Sequence, residues 1–190
     1  MAPKKNINKH LDPVFNVLLP KLEEAKIDYW VYGGISVAAF AGKFVRKDRN
    51  DDVDIFVKEE DFLKAKFTLK PFCIGNFKLK DHHPLIRGAY KRPKFDIKNG
   101  KHEGLSIVPI YLEDNKITLV FGSGIEMYSN GILNKVERNI ESYRFISPRN
   151  EYIKLLFINY LRSNRSKVKM EDARAILTTN EFNRLYLLKD

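Results

Sequence analysis

Ile27-Asp28-Tyr29-Trp30-Val31-Tyr32, then Gly33-Gly34-Ile35-Ser36, and further on Asp52-Val53-Asp54-Ile55-Phe56-Val57 form the stretch whose reading decides the fold. The first block is rich in aromatic and β-branched residues and predicts a strand. The glycine pair opens a short helix, Ile35 to Ala41, apolar on nearly every side as a helix packed under a sheet is. The third block predicts a second strand. Residues at i and i+2 of a strand share a face, so Asp52 and Asp54 point the same way. A Gly-Gly turn at a helix start leaves backbone N–H groups aimed outward, a cradle for phosphate. Two carboxylates able to hold a divalent cation beside a phosphate chain suit phosphoryl or nucleotidyl transfer.

Outward from this segment, Leu11 to Lys26 carries apolar residues at helical spacing, with Asp12-Pro13 at its start. Lys58-Glu59-Glu60-Asp61 opens a helix through about Lys66, acidic in its first turn as the helix dipole favours. Short strands are expected at Cys73 to Leu79, Lys94 to Lys98, Leu105 to Leu112 and Ile117 to Phe121. Asn99-Gly100 and Asp114-Asn115 are the turns between the last three. From Ser147-Pro148 the pattern becomes helical: Glu151 to Arg162, Lys169 to Leu177 and Glu181 to Leu188. The expected class is α+β: a mixed β-sheet flanked by helices over residues 1–146, followed by a small C-terminal helical unit over 147–190.

The chain has 190 residues, 44% of them hydrophobic and 12% aromatic, enough for a packed core. With 34 basic and 24 acidic residues the net charge is +10, which favours an anionic partner such as nucleotide phosphates or a nucleic acid; plain solubility is the bland alternative. The single cysteine, Cys73, excludes a disulfide framework within the chain and reads as a small buried hydrophobe. His82-His83-Pro84 reads as a turn, having no acid or cysteine at metal-ligand spacing. No apolar run is long enough to cross a bilayer, so a cytoplasmic protein with no membrane partner is expected.

Gly33-Gly34-x-Ser36 followed by Asp52-x-Asp54 resembles the DNA polymerase β-like nucleotidyltransferase superfamily. Within it the chain looks most like the compact bacterial and archaeal branch that includes the lincosamide and aminoglycoside nucleotidyltransferases. Leu105-Ser106-Ile107-Val108-Pro109-Ile110-Tyr111 resembles the strand leading away from the family's active site. Glu151-Tyr152-Ile153-Lys154-Leu155-Leu156, with Lys169-Met170-Glu171-Asp172, resembles its trailing helical bundle.

The resemblance implies a Mg²⁺-dependent enzyme, with two ions, that moves a nucleoside monophosphate from an NTP to a hydroxyl acceptor and releases pyrophosphate. The acceptor could be a small molecule, an RNA or a protein side chain. Asp52 and Asp54 would hold the metal, with solvated strand-end aspartates as the plain alternative. Gly33, Gly34 and Ser36 would bind phosphates, or simply form a tight turn. Arg49 is the nucleotide-binding candidate in the basic loop before the second strand, and Lys154 matches a nucleotide-facing lysine of the family's C-terminal helix. A third carboxylate is expected on a later neighbouring strand, and two placements are open. One uses Asp96, in a strand-like run, as catalytic and metal-binding residue. In the other the acidic position holds Ser106, and the protein is an inactive fold that binds RNA or another protein.

Overall fold

Along β2 (Val53–Lys58), Val53, Ile55 and Val57 are fully buried in one face of a sheet, while Asp54 sits on the opposite face. The structure, a computed structural model, describes residues 9–46, 52–87, 90–100, 102–120, 125–163 and 167–187. β2 pairs antiparallel with β1 (Tyr29–Tyr32) and parallel with β5 (His102–Glu113). Beyond β5 lie β4 (Tyr90–Asn99) and the edge strand β3 (Phe77–Arg87), both antiparallel to their neighbours. The far half of β5 carries β6 (Lys116–Val120) and β7 (Ile125–Ser129). A separate hairpin is made by β8 (Val136–Ile140) and β9 (Tyr143–Ser147). The expected α+β class with a mixed sheet is what the structure has.

The two faces of the sheet carry different loads. On one, Val31, Ile55, Phe95, Ile97, Leu105 and Ile107 meet α1 (Leu19–Glu24) and α3 (Glu59–Leu69) through Leu19, Leu22, Phe62 and Leu69. On the other, Trp30, Phe56, Val108 and Ile110 are covered by Ile117, Leu119, Tyr128, Ile132 and Leu156. Val37 of α2 (Gly33–Ala41) belongs to a third cluster, with Ile153 and Phe157 of α4 (Asn150–Ser163) and Ala173 and Ile176 of α5 (Lys167–Ile176). The C-terminal helices, ending with α6 (Thr179–Leu187), thus dock on the helix that follows the glycine pair. Among the described residues no helix is long and apolar enough to cross a membrane.

Three local readings are revised. The N-terminal helix is not uniform: a 3₁₀ turn at Lys9–Leu11 and a π-helical turn at Val14–Leu18 precede α1. Pro20 enters α1 in its first turn and lacks the N–H that an uninterrupted ladder would need there. β3 begins at Phe77 rather than Cys73, and His82-His83-Pro84 lie within it instead of forming a turn. The register shifts between His82 and Leu85, a bulge that accommodates a proline on an edge strand. β7, β8 and β9 were not expected from the sequence, whereas both predicted turns are present: Gly100 has φ +63° and Asp114 and Asn115 have φ 43° and 65°. Cys73 is half-buried against the core, and burial raises its thiol pKa.

Arg46 joins the chain before β2 to α5, donating through Nε and Nη2 to Asp172 at 3.3 and 2.9 Å. The Asp172 side chain is 1% exposed, so its charge depends on this partner. Arg46→Ala should lower unfolding free energy by about 3–5 kcal/mol in denaturant titration, and adding Asp172→Ala should restore part of it. Ile55→Ala, which empties a fully buried site on β2, should cost about 2–5 kcal/mol in the same measurement.

Candidate active site

Cross-strand neighbours share a face, and four strands place Asp54, Ser106, Asp96 and Lys80 on one rung: Asp54 opposite Ser106, Ser106 opposite Asp96, and Asp96 opposite Lys80. Tyr32 of β1 completes the rung on the other side of Asp54 and stacks on Phe56 at 3.7 Å between ring centroids. The Tyr32 hydroxyl pKa is raised well above normal, first by burial and then by the negative charge of Asp54; Asp52 and Asp96 add to it and Arg92 opposes. Asp52, just before β2, and Asp54 therefore act on the same locus. Arg46 feels both: burial alone would lower its pKa, but Asp172, Asp52 and Asp54 hold it raised.

Gly33 is where the turn and the acid meet. Its φ of +72° is one that side-chain-bearing residues rarely adopt, and a Cβ there would lie 2.7 Å from Asp54 Oδ2. The Asp54 carboxylate therefore rests against the Gly33 backbone, at the start of α2, where the first N–H groups have no partner within the helix. Gly34 is the next residue of that turn. Ser36 is buried, and its hydroxyl donates to the Gly33 carbonyl at 2.9 Å. Its hydroxyl hydrogen thus stabilises the turn, and the outward-facing groups there are backbone N–H.

Asp96 is fully buried yet well supplied with donors. The Ser106 hydroxyl donates to Oδ1 at 2.9 Å, Lys94 Nζ lies 3.2 Å from Oδ1, and His82 Nε2 lies 2.5 Å from Oδ2. These contacts compensate a buried carboxylate that would otherwise cost several kcal/mol. Two strand spacings, about 10 Å at the Cα level, separate Asp96 from Asp54. Ser106 is thus the direct neighbour of Asp54, and Asp96 stands behind it on the same face. Among the described residues no group of three or more His, Cys, Asp and Glu is arranged to hold a metal.

Arg49 lies outside the described residues. Lys154 on α4 makes an ion pair with Glu181 of α6 at 3.0 Å. Glu181 also accepts from the Thr178 N–H while its own N–H donates to the Thr178 hydroxyl, a reciprocal cap on α6. Sequence reasoning missed His82, which shares the face of Asp96, and read Lys94 and Arg92 only as surface partners of that aspartate, whereas Asp96 is buried. Arg92 donates to the Val120 carbonyl at 2.7 Å, and its Nε is buried without a partner among the described residues. The available signal was a period of two: Lys78, Lys80 and His82 on β3, and Arg92, Lys94, Asp96 and Lys98 on β4.

No family model matches the chain, and no curated protein matches it. Solved structures do. The lincomycin-bound lincosamide antibiotic adenylyltransferase LnuA is 21% identical, covers 87% of this chain and 94% of its own, and has a TM-score of 0.59. ANT(2″)-Ia in complex with adenylyl-2″-tobramycin is 14% identical, with coverages of 92% and 93% and a TM-score of 0.58. The solution structure of the antibiotic-resistance factor ANT(2″)-Ia gives 15%, 90% and 85%, and a TM-score of 0.56. The chain has the nucleotidyltransferase fold.

Gly33→Ala should lower unfolding free energy by about 1–2 kcal/mol from backbone strain alone, with a further loss from displacing Asp54, measured by denaturant titration.

Proposed function

We propose that this chain is a Mg²⁺-dependent nucleotidyltransferase that moves a nucleoside monophosphate from an NTP to a hydroxyl acceptor, releasing pyrophosphate. The observation that carries the reading is the Asp54 carboxylate seated against the positive-φ Gly33 turn at the start of α2. The donor set fits Mg²⁺: this ion takes one or two carboxylates and completes its shell with water and substrate phosphates, so Asp52 and Asp54 suffice without a closed protein cage. When bound there, Mg²⁺ supplies charge neutralisation at the phosphate oxygens and geometric alignment of the donor. Gly33 and Gly34 present backbone N–H groups to the phosphates, and Ser36 keeps that turn in shape.

Asp96 is the third carboxylate of this reading, in the role of proton acceptor for the incoming hydroxyl. Lys94, Ser106 and His82 fix its orientation. Arg49 and Lys154 are the proposed additional nucleotide contacts; for Lys154 this requires release from Glu181. The adenylyl chemistry named for LnuA and ANT(2″)-Ia supports the reaction class.

A second reading, a catalytically silent fold that binds RNA or a protein, is favoured by one observation. The residue directly beside Asp54 on β5 is Ser106, not an acid.

Titration calorimetry with NTP and Mg²⁺ and an assay with α-labelled NTP separate the two. The enzyme reading expects Mg²⁺-dependent NTP binding that weakens about 100-fold or more in Asp52→Ala and Asp54→Ala. A folded wild type that binds no NTP with Mg²⁺ would overturn it. Asp96→Asn should lower turnover by about 100-fold or more while leaving NTP affinity within about threefold, because it acts on the hydroxyl and not on the donor.

A further inference from the structure

We propose that the cationic strip on β3 and β4, beside the Asp54–Ser106–Asp96 rung, seats a single-stranded RNA end, so that the acceptor is an RNA 3′-hydroxyl. The proposal rests on the nucleotidyltransferase reading of the donor side. In the step it implies, the 3′-oxygen bonds to the α-phosphorus and the bond from that phosphorus to the bridging oxygen breaks. Pyrophosphate leaves, and the hydroxyl proton passes to Asp96.

The strip follows from register. Lys80 is opposite Asp96 and His82 opposite Lys94, and the His82 and Lys94 side chains both reach Asp96, so these residues share the face of Asp54. Strand alternation adds Lys78 and Lys98 at one end and Arg92 at the other. On this face of the two strands Asp96 is the one acid among the described residues, and it is buried, whereas Lys78 and Lys80 are exposed. Same-face residues along a strand recur at about 7 Å, a spacing that can track consecutive phosphates of an extended single strand. The acid of the hairpin that pairs outward, Asp81, is on the opposite face with Lys66 of α3.

Edge strands often carry lysines only to discourage pairing with another sheet. That purpose does not apply to β4, which has a strand on each side: Lys94 there offsets Asp96 and Arg92 holds the Val120 carbonyl, and with Lys98 they extend the positive charge of Lys78 and Lys80 across the same face. A cationic acceptor would meet repulsion along this strip, whereas a polyphosphate chain entering along it would end at the rung that holds Asp96 and Asp54. The exposed Lys78 and Lys80 lead to a rung where Asp96 and Ser106 are buried, a narrowing that suits a single-strand end better than a duplex, whose bases are out of reach.

The test is fluorescence anisotropy of a labelled single-stranded oligoribonucleotide on the full chain, without nucleotide, at several salt concentrations. Lys78→Glu/Lys80→Glu is compared with Lys64→Glu/Lys70→Glu, a matched charge change at exposed sites on and after α3. The strip predicts that the first pair weakens RNA binding about tenfold or more and flattens the log–log salt slope by about 1.4, while the second pair does neither. Mg²⁺-NTP affinity, measured separately, should be unchanged in both. An equal loss in the two double variants, no loss in the first, or equally tight binding of a DNA strand of the same sequence would overturn the proposal. So would transfer of label to a polyamino sugar in preference to RNA. NTP binding without RNA binding overturns the strip alone; RNA binding without NTP binding overturns the donor reading instead.

Discussion

The register of β2 is the constraint on which the rest depends. Val53, Ile55 and Val57 fill one face, and the pleat then sends Asp54 to the other. A slip by one residue would drive the Asp54 carboxylate into the core face without partners, at several kcal/mol, and exchange the close-packed sites of Val53, Ile55 and Val57 with that of Phe56. That cost is a large part of the whole stability of an ordinary domain, so no alternative register competes. With β2 fixed, its neighbours inherit the phase: Tyr32 on β1 and Ser106 on β5 must stand beside Asp54, and Asp96 beside Ser106.

This shared phase gives the rung an electrostatic polarity. On the β1 side, Asp54 rests against the Gly33 turn, and with Asp52 it adds to burial in raising the Tyr32 pKa and to Asp172 in raising that of Arg46. On the β3 side, Lys94, His82 and the Ser106 hydroxyl surround Asp96, and such partners make a fully buried carboxylate tolerable there. Ser106 lies between the two regions. Its small side chain leaves the middle strand low, and its hydroxyl is turned toward Asp96.

How much was legible in the sequence follows from how local each determinant is. Gly33-Gly34 and Asp52-x-Asp54 were readable because a turn and an alternating strand are encoded within a few residues. The choice between Asp96 and Ser106 was not, because it depends on the pairing of β4, β5 and β2, and no local pattern fixes that register. The structure puts both residues on one rung, a solution that neither placement alone describes. His82-His83-Pro84 misled for a different reason: its composition is that of a turn, and only the bulge at the sheet edge makes it a strand. Lys154 carried the spacing of an amphipathic helix, but its partner Glu181 lies 27 residues on, in a helix whose docking could not be foreseen.

The C-terminal helices also bear on the site. They share a buried cluster with Val37 of α2, the helix whose first residue rests against Asp54. They also hold Arg46 through a carboxylate that is almost fully buried, and Arg46 in turn lies within the field of Asp52 and Asp54. Two independent links therefore connect α5 to the acidic pair, one apolar through α2 and one ionic through Arg46. A local loosening of α5 would relax both at once, shifting the glycine turn on one side of Asp54 and removing a nearby positive charge on the other. The helical unit is thus part of what sets the geometry and charge of the site, although Asp52 and Asp54 lie far from it in the sequence.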